Sequence, residues 1–116
     1  MAKAIKTILN KPQNPNILPL SGVGRVPPQA VELEEAILGA LLIDRDALSK
    51  VIDILSAESF YVDGHQKIFE AITQLFGDSD PIDILTVSQR LKKEGELNNI
   101  GGEAKLIGLS TKVSSS

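Results

Sequence analysis

The sequence contains no cysteine, no tryptophan and a single histidine, His65. Without cysteine the chain can form neither a disulfide framework nor a thiolate metal site, and one histidine is too few for a zinc site. We therefore predict no metal, and a reducing cytoplasm is the expected compartment. Aromatic residues make up only 3% of the chain and hydrophobic residues 42%, so the core must be built from leucine, isoleucine and valine.

Long apolar runs are also missing. The longest stretch, Ala40 to Ile43 with Ile37 and Leu38 before it, is far shorter than the roughly 20 residues that a membrane-spanning helix needs. The N-terminus lacks the apolar run and cleavage site of a secretory signal. The sequence therefore predicts neither a membrane span nor a signal peptide.

The first 31 residues contain no acidic side chain. They carry a net charge of +4 from Lys3, Lys6, Lys11 and Arg25, whereas the remaining residues carry −7. Proteins that bind nucleic acid obtain most of their affinity from lysine and arginine that neutralise phosphates. The acidic body therefore favours a protein partner. The basic segment could contact nucleic acid or an acidic surface, but charges spaced this widely are more often simply solvated.

Residues 1–26 combine prolines, asparagines and glycines in a mixture that interrupts helices and strands alike. These residues are Asn10, Pro12, Asn14, Pro15, Asn16, Pro19, Gly22 and Gly24. We predict a disordered leader over 1–26 and one folded domain over 27–116, a length that fits a single core.

Apolar residues recur at helical spacing after the proline pair at 27–28, which predicts a first helix ending near Ile43. Acidic residues in its first turns favour the positive end of the helix dipole. Alanine would stabilise the helix by roughly 1 kcal/mol relative to Gly39, so this glycine indicates close approach of another helix. The predicted inner face consists of Ala30, Leu33, Ile37, Leu38, Leu41 and Leu42.

Short polar residues and glycines mark the limits of the later helices. The predicted caps are Asp44 or Asp46, then Ser56 before a brief turn over 57–60, then Asp63 and Asp83. Gln66 is expected to reach back to the backbone of Asp63. Gly77 is expected to end one helix in a left-handed conformation, Gly95 to close the next, and residues 78–81 to form a turn.

The inner positions of these helices follow from the same periodicity. They are Leu48, Val51, Ile52 and Leu55; Ile68, Phe69, Ile72, Leu75 and Phe76; Ile84 or Leu85, Val87, Ser88 and Leu91; and Ala104, Ile107 and Val113 in a last helix from about Glu103. No segment shows the alternation of a strand over more than a few residues. The fold class is therefore predicted as all-α, a compact orthogonal bundle of about five to six short helices.

No pattern of catalytic chemistry is found. Gly101-Gly102 precedes Lys105 without the spacing of a phosphate-binding loop, so we predict no nucleotide or other cofactor. His65 would need a nearby nucleophile and an orienting group to act as a general base, and a structural or surface role is favoured. The carboxylates that could suggest acid-base catalysis or a calcium loop are Glu34 and Glu35, and Asp78, Asp80 and Asp83.

Those aspartates lack the central glycine and final glutamate of an EF-hand and are ordinary turn and cap residues. Phe60-Tyr61 could stack on bases, but acidic neighbours favour a core role. We therefore predict no catalytic, cofactor-binding or metal-binding residue and assign no interface residue.

Six ordered blocks resemble the N-terminal domain of DnaB-type bacterial replicative DNA helicases. They are Val26 to Glu32, Ile37 to Asp44, Ser59-Phe60-Tyr61 with His65, Ile68-Phe69 and Ala71, Pro81-Ile82-Asp83 with Thr86-Val87, Gly95-Glu96-Leu97, and Ile100-Gly101-Gly102. The resemblance covers about residues 26–114. Two positions depart from it: Leu33 stands where alanine is more frequent, and Lys105 where an aromatic residue is common.

The resemblance implies an assembly and partner-docking role. Such domains form a collar on a hexameric ring, with self-association in dimer pairs, and the collar region takes part in binding primase and in regulating loading by the helicase loader. In the family a helical hairpin, a linker and a RecA-like motor follow, and the motor uses ATP and magnesium to unwind DNA from 5′ to 3′. The chain is thus expected to be a fragment that is not itself an enzyme. In the parent protein the motor, and not this domain, is expected to contact DNA.

Two alternatives remain open on the residues alone. The first is a free-standing helical adaptor for a protein partner, without a link to replication. The second is a helix-turn-helix DNA-binding domain with Asp83 to Lys93 as the reading helix, against which the acidic body argues.

Overall fold

The computed structural model describes residues 28–44 and 46–114. The predicted leader over 1–26 lies outside these residues. The first helix, α1, spans Pro28–Ile43 and starts at a proline, where a missing N–H costs little. Its buried positions are Glu34, Leu38, Gly39, Leu41 and Leu42. Leu33 is 61% exposed, so its place on the inner face was predicted wrongly, because the neighbouring elements cover the helix on the side of Leu38 instead.

A short helix and a single turn connect α1 to the rest of the fold. Helix α2 spans Ala47–Val51, and a 3₁₀ turn spans Ala57–Ser59. Asp46 occupies the N-cap position of α2 without a side-chain hydrogen bond, and its own N–H donates to Asp44 Oδ1 at 2.9 Å. Ser56 precedes the 3₁₀ turn as predicted.

Helix α3 spans Asp63–Gly77 and begins differently from the prediction. Val62 is its N-cap residue, and Asp63 already lies inside the helix. The Gln66 side chain donates to the carbonyl oxygen of Phe60 at 2.7 Å and not to the backbone of Asp63. The capping box predicted at Asp63 and Gln66 is therefore wrong, because Asp63 is already a helical residue.

The end of α3 also departs from the prediction. Gly77 is the last helical residue, whereas the left-handed conformation is adopted by Ser79, with φ of 62°. The Ser79 N–H donates to Phe76 O at 3.0 Å and the Asp80 N–H to Leu75 O at 2.9 Å, the two bonds of a Schellman motif. The predicted turn at 78–81 is present, but the helix runs one residue further than the glycine signal indicated.

Helix α4 spans Ile84–Lys93 and matches both of its predicted limits. Asp83 Oδ1 accepts from the Thr86 N–H at 2.9 Å, and Thr86 Oγ1 accepts from the Asp83 N–H at 3.0 Å. Gly95 has φ of 76° and closes the helix. Ile84 is half-buried and Leu85 is 59% exposed, so Ile84 faces inward.

Helix α5 spans Gly102–Ser114. Its buried residues are Leu106, Leu109 and Ser110. Ala104 and Ile107 are exposed, so the predicted inner face was wrong by about one residue, because α1 packs against the neighbouring side of the helix.

Helices α1 and α5 make the most extensive contact between elements. At Gly39 an added Cβ would collide with the Leu109 carbonyl oxygen and lie 2.5 Å from Val113 Cγ2. The predicted close approach of a second helix is confirmed. The core around this contact is aliphatic, apart from Phe60 and Phe69, whose ring centroids are 5.1 Å apart. The part of the chain that is described contains helices and no strand, which confirms the all-α fold.

Candidate functional site

A buried carboxylate and a buried imidazole link α1 to the start of α3. The Glu34 Oε1 atom lies 2.7 Å from Nδ1 of His65, and the two residues are 7% and 1% exposed. The same carboxylate accepts from the backbone N–H of Tyr61 at 2.6 Å and, less closely, from that of Val62 at 3.4 Å. Glu34 therefore holds one side chain and two backbone donors of a segment about 27 residues further along the chain.

This arrangement lies beside the N-terminus of α3, whose N-cap residue, Val62, forms no side-chain cap bond. The N–H groups at the start of a helix have no partner within the helix, and a negative charge there also stabilises the helix dipole. The Glu34 carboxylate satisfies donors on the segment that leads into α3. A buried charge is tolerated only when it is paired and hydrogen-bonded, and three donors meet that condition.

His65 is 1% exposed, and its ring lies against the Glu34 carboxylate. It is therefore placed inside the fold, one of the two positions that the sequence left open for a histidine without a catalytic role. The pairing was missed because the two residues are 31 positions apart, and neither residue alone carries a signal for the other.

Glu35 forms a second ionic cluster, between α1 and α5. Its carboxylate accepts from Lys112 Nζ at 2.7 Å and from Lys105 Nζ at 3.1 Å. The Lys112 bond is the main cause that lowers the pKa of Glu35, with burial acting against it and Lys105 adding to it. The same bond raises the pKa of Lys112. Lys105, which departs from the resembled pattern, is thus engaged in holding these two helices together.

The aromatic pair Phe60-Tyr61 divides between core and surface. Phe60 is 3% exposed, whereas Tyr61 is 61% exposed. The core role expected for both is correct for Phe60 and wrong for Tyr61, because the chain is extended at this bend and consecutive side chains point to opposite sides. Six further large apolar residues are exposed: Leu33, Ile43, Ile54, Phe76, Leu85 and Ile107.

The predicted reading helix of a DNA-binding domain carries three basic residues, Arg90, Lys92 and Lys93, and the first of them is bound within the fold. Arg90 Nη2 donates to Asp78 Oδ2 at 2.9 Å and Nη1 to Gln74 Oε1 at 3.1 Å. The Asp78 contact raises the pKa of Arg90. Its guanidinium therefore joins α4 to the end of α3 within the fold. Arg90 also lines a shallow groove with Leu75 and Pro81.

The described residues lack two further features. No group of three or more His, Asp or Glu side chains is placed to hold a metal ion. None of the described helices has the length and apolar character needed to cross a membrane.

Comparison with known proteins identifies relatives among replicative DNA helicases. Residues 26–116 match the family described as DnaB-like helicase N terminal domain. The chain is 49% identical over 92 residues to the replicative DNA helicase DnaB of Rhodothermus marinus, covering 79% of this chain and 10% of that protein. It is 40% identical over 89 residues to the DnaB of Geobacillus stearothermophilus, covering 77% and 20%.

A solved structure has the same fold. It is the crystal structure of the N-terminal domain of DnaB helicase from Mycobacterium tuberculosis, with a TM-score of 0.72 and 36% sequence identity, covering 76% of this chain and 64% of that one. The chain spans about a tenth to a fifth of the length of the curated relatives named above.

Proposed function

Because the chain belongs to the family of DnaB-like helicase N-terminal domains, we propose that it serves as the assembly and partner-docking part of a hexameric replicative helicase. The observation that carries this proposal is the family match over residues 26–116, together with an all-helical body on which seven large apolar side chains are exposed. Where such side chains lie together in one large patch, they mark a surface that another protein covers.

Two kinds of partner are included in the proposal. The first is the chain itself, in dimer pairs within the hexamer of the parent protein. The second comprises the primase and the helicase loader, which would bind the collar that these domains form. The acidic body supports protein partners over nucleic acid, because phosphates are repelled by it.

ATP hydrolysis and 5′-to-3′ unwinding are assigned to a motor domain of the parent, which would bind ATP and magnesium and contact DNA. The residues of this chain would supply no catalytic group, and the cytoplasm is the proposed compartment. An ATPase assay on the purified chain should give the background rate, and turnover that depends on the chain would contradict this assignment.

The docking role can be tested by sedimentation velocity. The chain is measured alone over a range of concentrations and then with the C-terminal domain of the primase from the same organism. A faster-sedimenting species with the primase domain, absent with the remainder of the primase, is the expected result. Sedimentation unchanged at about 100 μM, which would exclude even weak binding, would contradict docking of the primase.

The family match also weighs against the two alternatives. A free-standing adaptor would not be expected to resemble helicase N-terminal domains along its whole folded part. A DNA-reading helix would need free basic side chains, and in α4 one of the three, Arg90, is bound to Asp78. Salt-dependent binding of the chain to duplex DNA would restore the second alternative.

A further inference from the structure

Helix α5 contains a glycine that the fold itself does not require. Gly108 lies in the middle of Gly102–Ser114, and a Cβ added to it would meet no described residue within 4 Å. Glycine inside a helix is less favourable than alanine. At Gly39 the contact with α5 explains the glycine, whereas at Gly108 no described residue does. Gly108 therefore indicates an approach from outside the described part of the chain.

The residues around Gly108 form one uncharged face of α5. Ile107, Gly108 and Thr111 follow Ala104 by three, four and seven positions, the spacing of neighbours on one side of a helix. The Thr111 hydroxyl also donates to the carbonyl oxygen of Ile107 at 2.8 Å. All four residues are exposed, and we call them the Gly108 face. The Ile107 side chain, which is 49% exposed, thus lies directly beside a position that has no side chain.

Charges of opposite sign lie at the two ends of the Gly108 face. Glu103 precedes it and forms no ion pair with another described residue. Lys112 follows it, and its side chain is 47% exposed although it bonds to Glu35. Lys105 shares the same carboxylate, so two lysines against one glutamate give this cluster a net charge of +1. Glu32 is the weaker of the two carboxylates that raise the pKa of Lys112. The end at Glu103 is therefore negative, and the end at Lys112 is positive.

A face of this kind is complementary to itself when two helices run in opposite directions. A twofold axis between Ile107 and Gly108 would place the Ile107 side chain of each copy opposite Gly108 of the other. The same axis would place Glu103 of each copy opposite Lys112 of the other. A parallel pairing would instead bring like charges together at both ends, which is unfavourable. The charges therefore favour a second copy of α5, in antiparallel orientation, as the occupant.

We propose that α5 pairs in antiparallel orientation with α5 of a second copy of this chain, through the Gly108 face. The proposal rests on the self-association proposed above and assigns it a face and a register. A contact along one helix of about 20 Å is smaller than a standard protein interface. The chain alone is therefore expected to dimerise weakly, and a hexamer would gain stability from several such contacts acting together.

The absence of cysteine from the sequence suits a cross-linking test of the register. Ala104→Cys and Thr111→Cys are made in separate chains, one of which carries an affinity tag, and are mixed under mild oxidation at about 0.5 mM, where weak dimers form. The antiparallel register places these two positions opposite each other, and a disulfide needs Cα atoms within about 7 Å. Leu85→Cys, at a position of α4 that is 59% exposed, is the matched control.

The disulfide between Ala104→Cys and Thr111→Cys should be at least about fivefold more abundant than the disulfide of either variant with itself, compared with about twofold for random pairing. Leu85→Cys should show no preference for either variant. A dominant disulfide of Ala104→Cys with itself would overturn the proposal in favour of a parallel pairing.

Sedimentation equilibrium at about 0.05–1 mM tests the contact itself. Gly108→Leu fills the position opposite Ile107 and should weaken dimerisation by about tenfold or more. The Tm of the dilute variant should be no lower than that of the parent chain, because a side chain at this position meets no described residue and leucine favours a helix. Glu103→Lys should weaken the dimer by about fivefold, since a symmetric pair loses two exposed ion pairs. Leu85→Ser should leave dimerisation unchanged.

Two outcomes separate this proposal from the proposed function. A dimer that Gly108→Leu leaves intact would overturn the Gly108 face as its contact, while self-association would stand. A chain that stays monomeric at about 1 mM but still sediments with the primase domain would overturn the pairing and leave the Gly108 face to a different protein, while the docking role would stand.

Discussion

Replacing Glu34 by alanine should destabilise the domain more than any other substitution of an acidic residue in α1. The substitution removes the acceptor of His65 and of two backbone N–H groups. It leaves those donors buried or half-buried without a partner from α1. The Glu34 side chain is only 9% exposed. No other carboxylate of α1 is buried to this degree.

The expected cost follows from the burial of the pair. Breaking a buried ionic or hydrogen-bonded pair by removing one partner costs about 3–5 kcal/mol, a large share of the roughly 5–15 kcal/mol that stabilises a domain of ordinary size. A loss of 1 kcal/mol lowers the Tm of a 60–100-residue domain by about 4–8 °C, so Glu34→Ala should lower it by roughly 12–40 °C. Glu34→Gln keeps one oxygen for the Tyr61 N–H and should cost less, about 1–3 kcal/mol.

Thermal unfolding followed by far-ultraviolet circular dichroism measures this difference. Glu32→Ala is the matched control, because Glu32 is an exposed acidic residue of the same helix and surface substitutions usually change stability by less than about 0.5 kcal/mol. If Glu34→Ala and Glu32→Ala unfolded at the same temperature, the buried pair would not be what joins α1 to α3.

Three further predictions concern the helix contacts and caps. Gly39→Ala should destabilise the domain by about 1–3 kcal/mol through overpacking against α5, although alanine favours an isolated helix by roughly 1 kcal/mol; a higher urea midpoint would refute this. Asp83→Ala should cost about 1 kcal/mol through loss of the cap of α4, seen as a lower urea midpoint with an unchanged slope. Because the pKa of Glu35 is lowered in the fold, its contribution is present above the unfolded value near 4.5 and is lost as the pH falls through the lower folded value. The parent chain should therefore be more stable than Glu35→Gln at pH 7, by about 0.5–1 kcal/mol for so exposed a cluster. This difference in unfolding free energy should disappear in acid, and a difference that persisted there would contradict an ionic role.

Features with a local physical cause were predictable from the sequence. Asp83 caps α4 through a residue only three positions away, and Gly95 closes the same helix with a positive φ that glycine adopts without strain. Gly39 was correctly linked to a close approach, because glycine inside a helix is otherwise unfavourable. In each case the reason lies within a few residues, and the structure confirms it.

Features that depend on distant neighbours were not predictable. Three residues that occur at helical spacing with buried ones are exposed: Leu33, Phe76 and Ile107. No other element of the described part of the chain covers them. Periodicity cannot show which side of a short helix is covered. Glu34 was placed among the acidic residues of the first turns of its helix, whereas its partner His65 lies beside it only in the folded chain. The candidate site was therefore missed, although both of its residues had been noted separately.

The Glu34 network also affects the hydrogen exchange of two backbone amides. The Tyr61 and Val62 N–H groups donate to a carboxylate 27 and 28 positions earlier in the sequence, so fraying of α3 alone does not release them. We expect their hydrogen exchange to be slow while Glu34 stays against the start of α3, and to speed up when α1 opens from α3. Two amides outside any helix thus become reporters of the cooperative unit that joins the first and third helices.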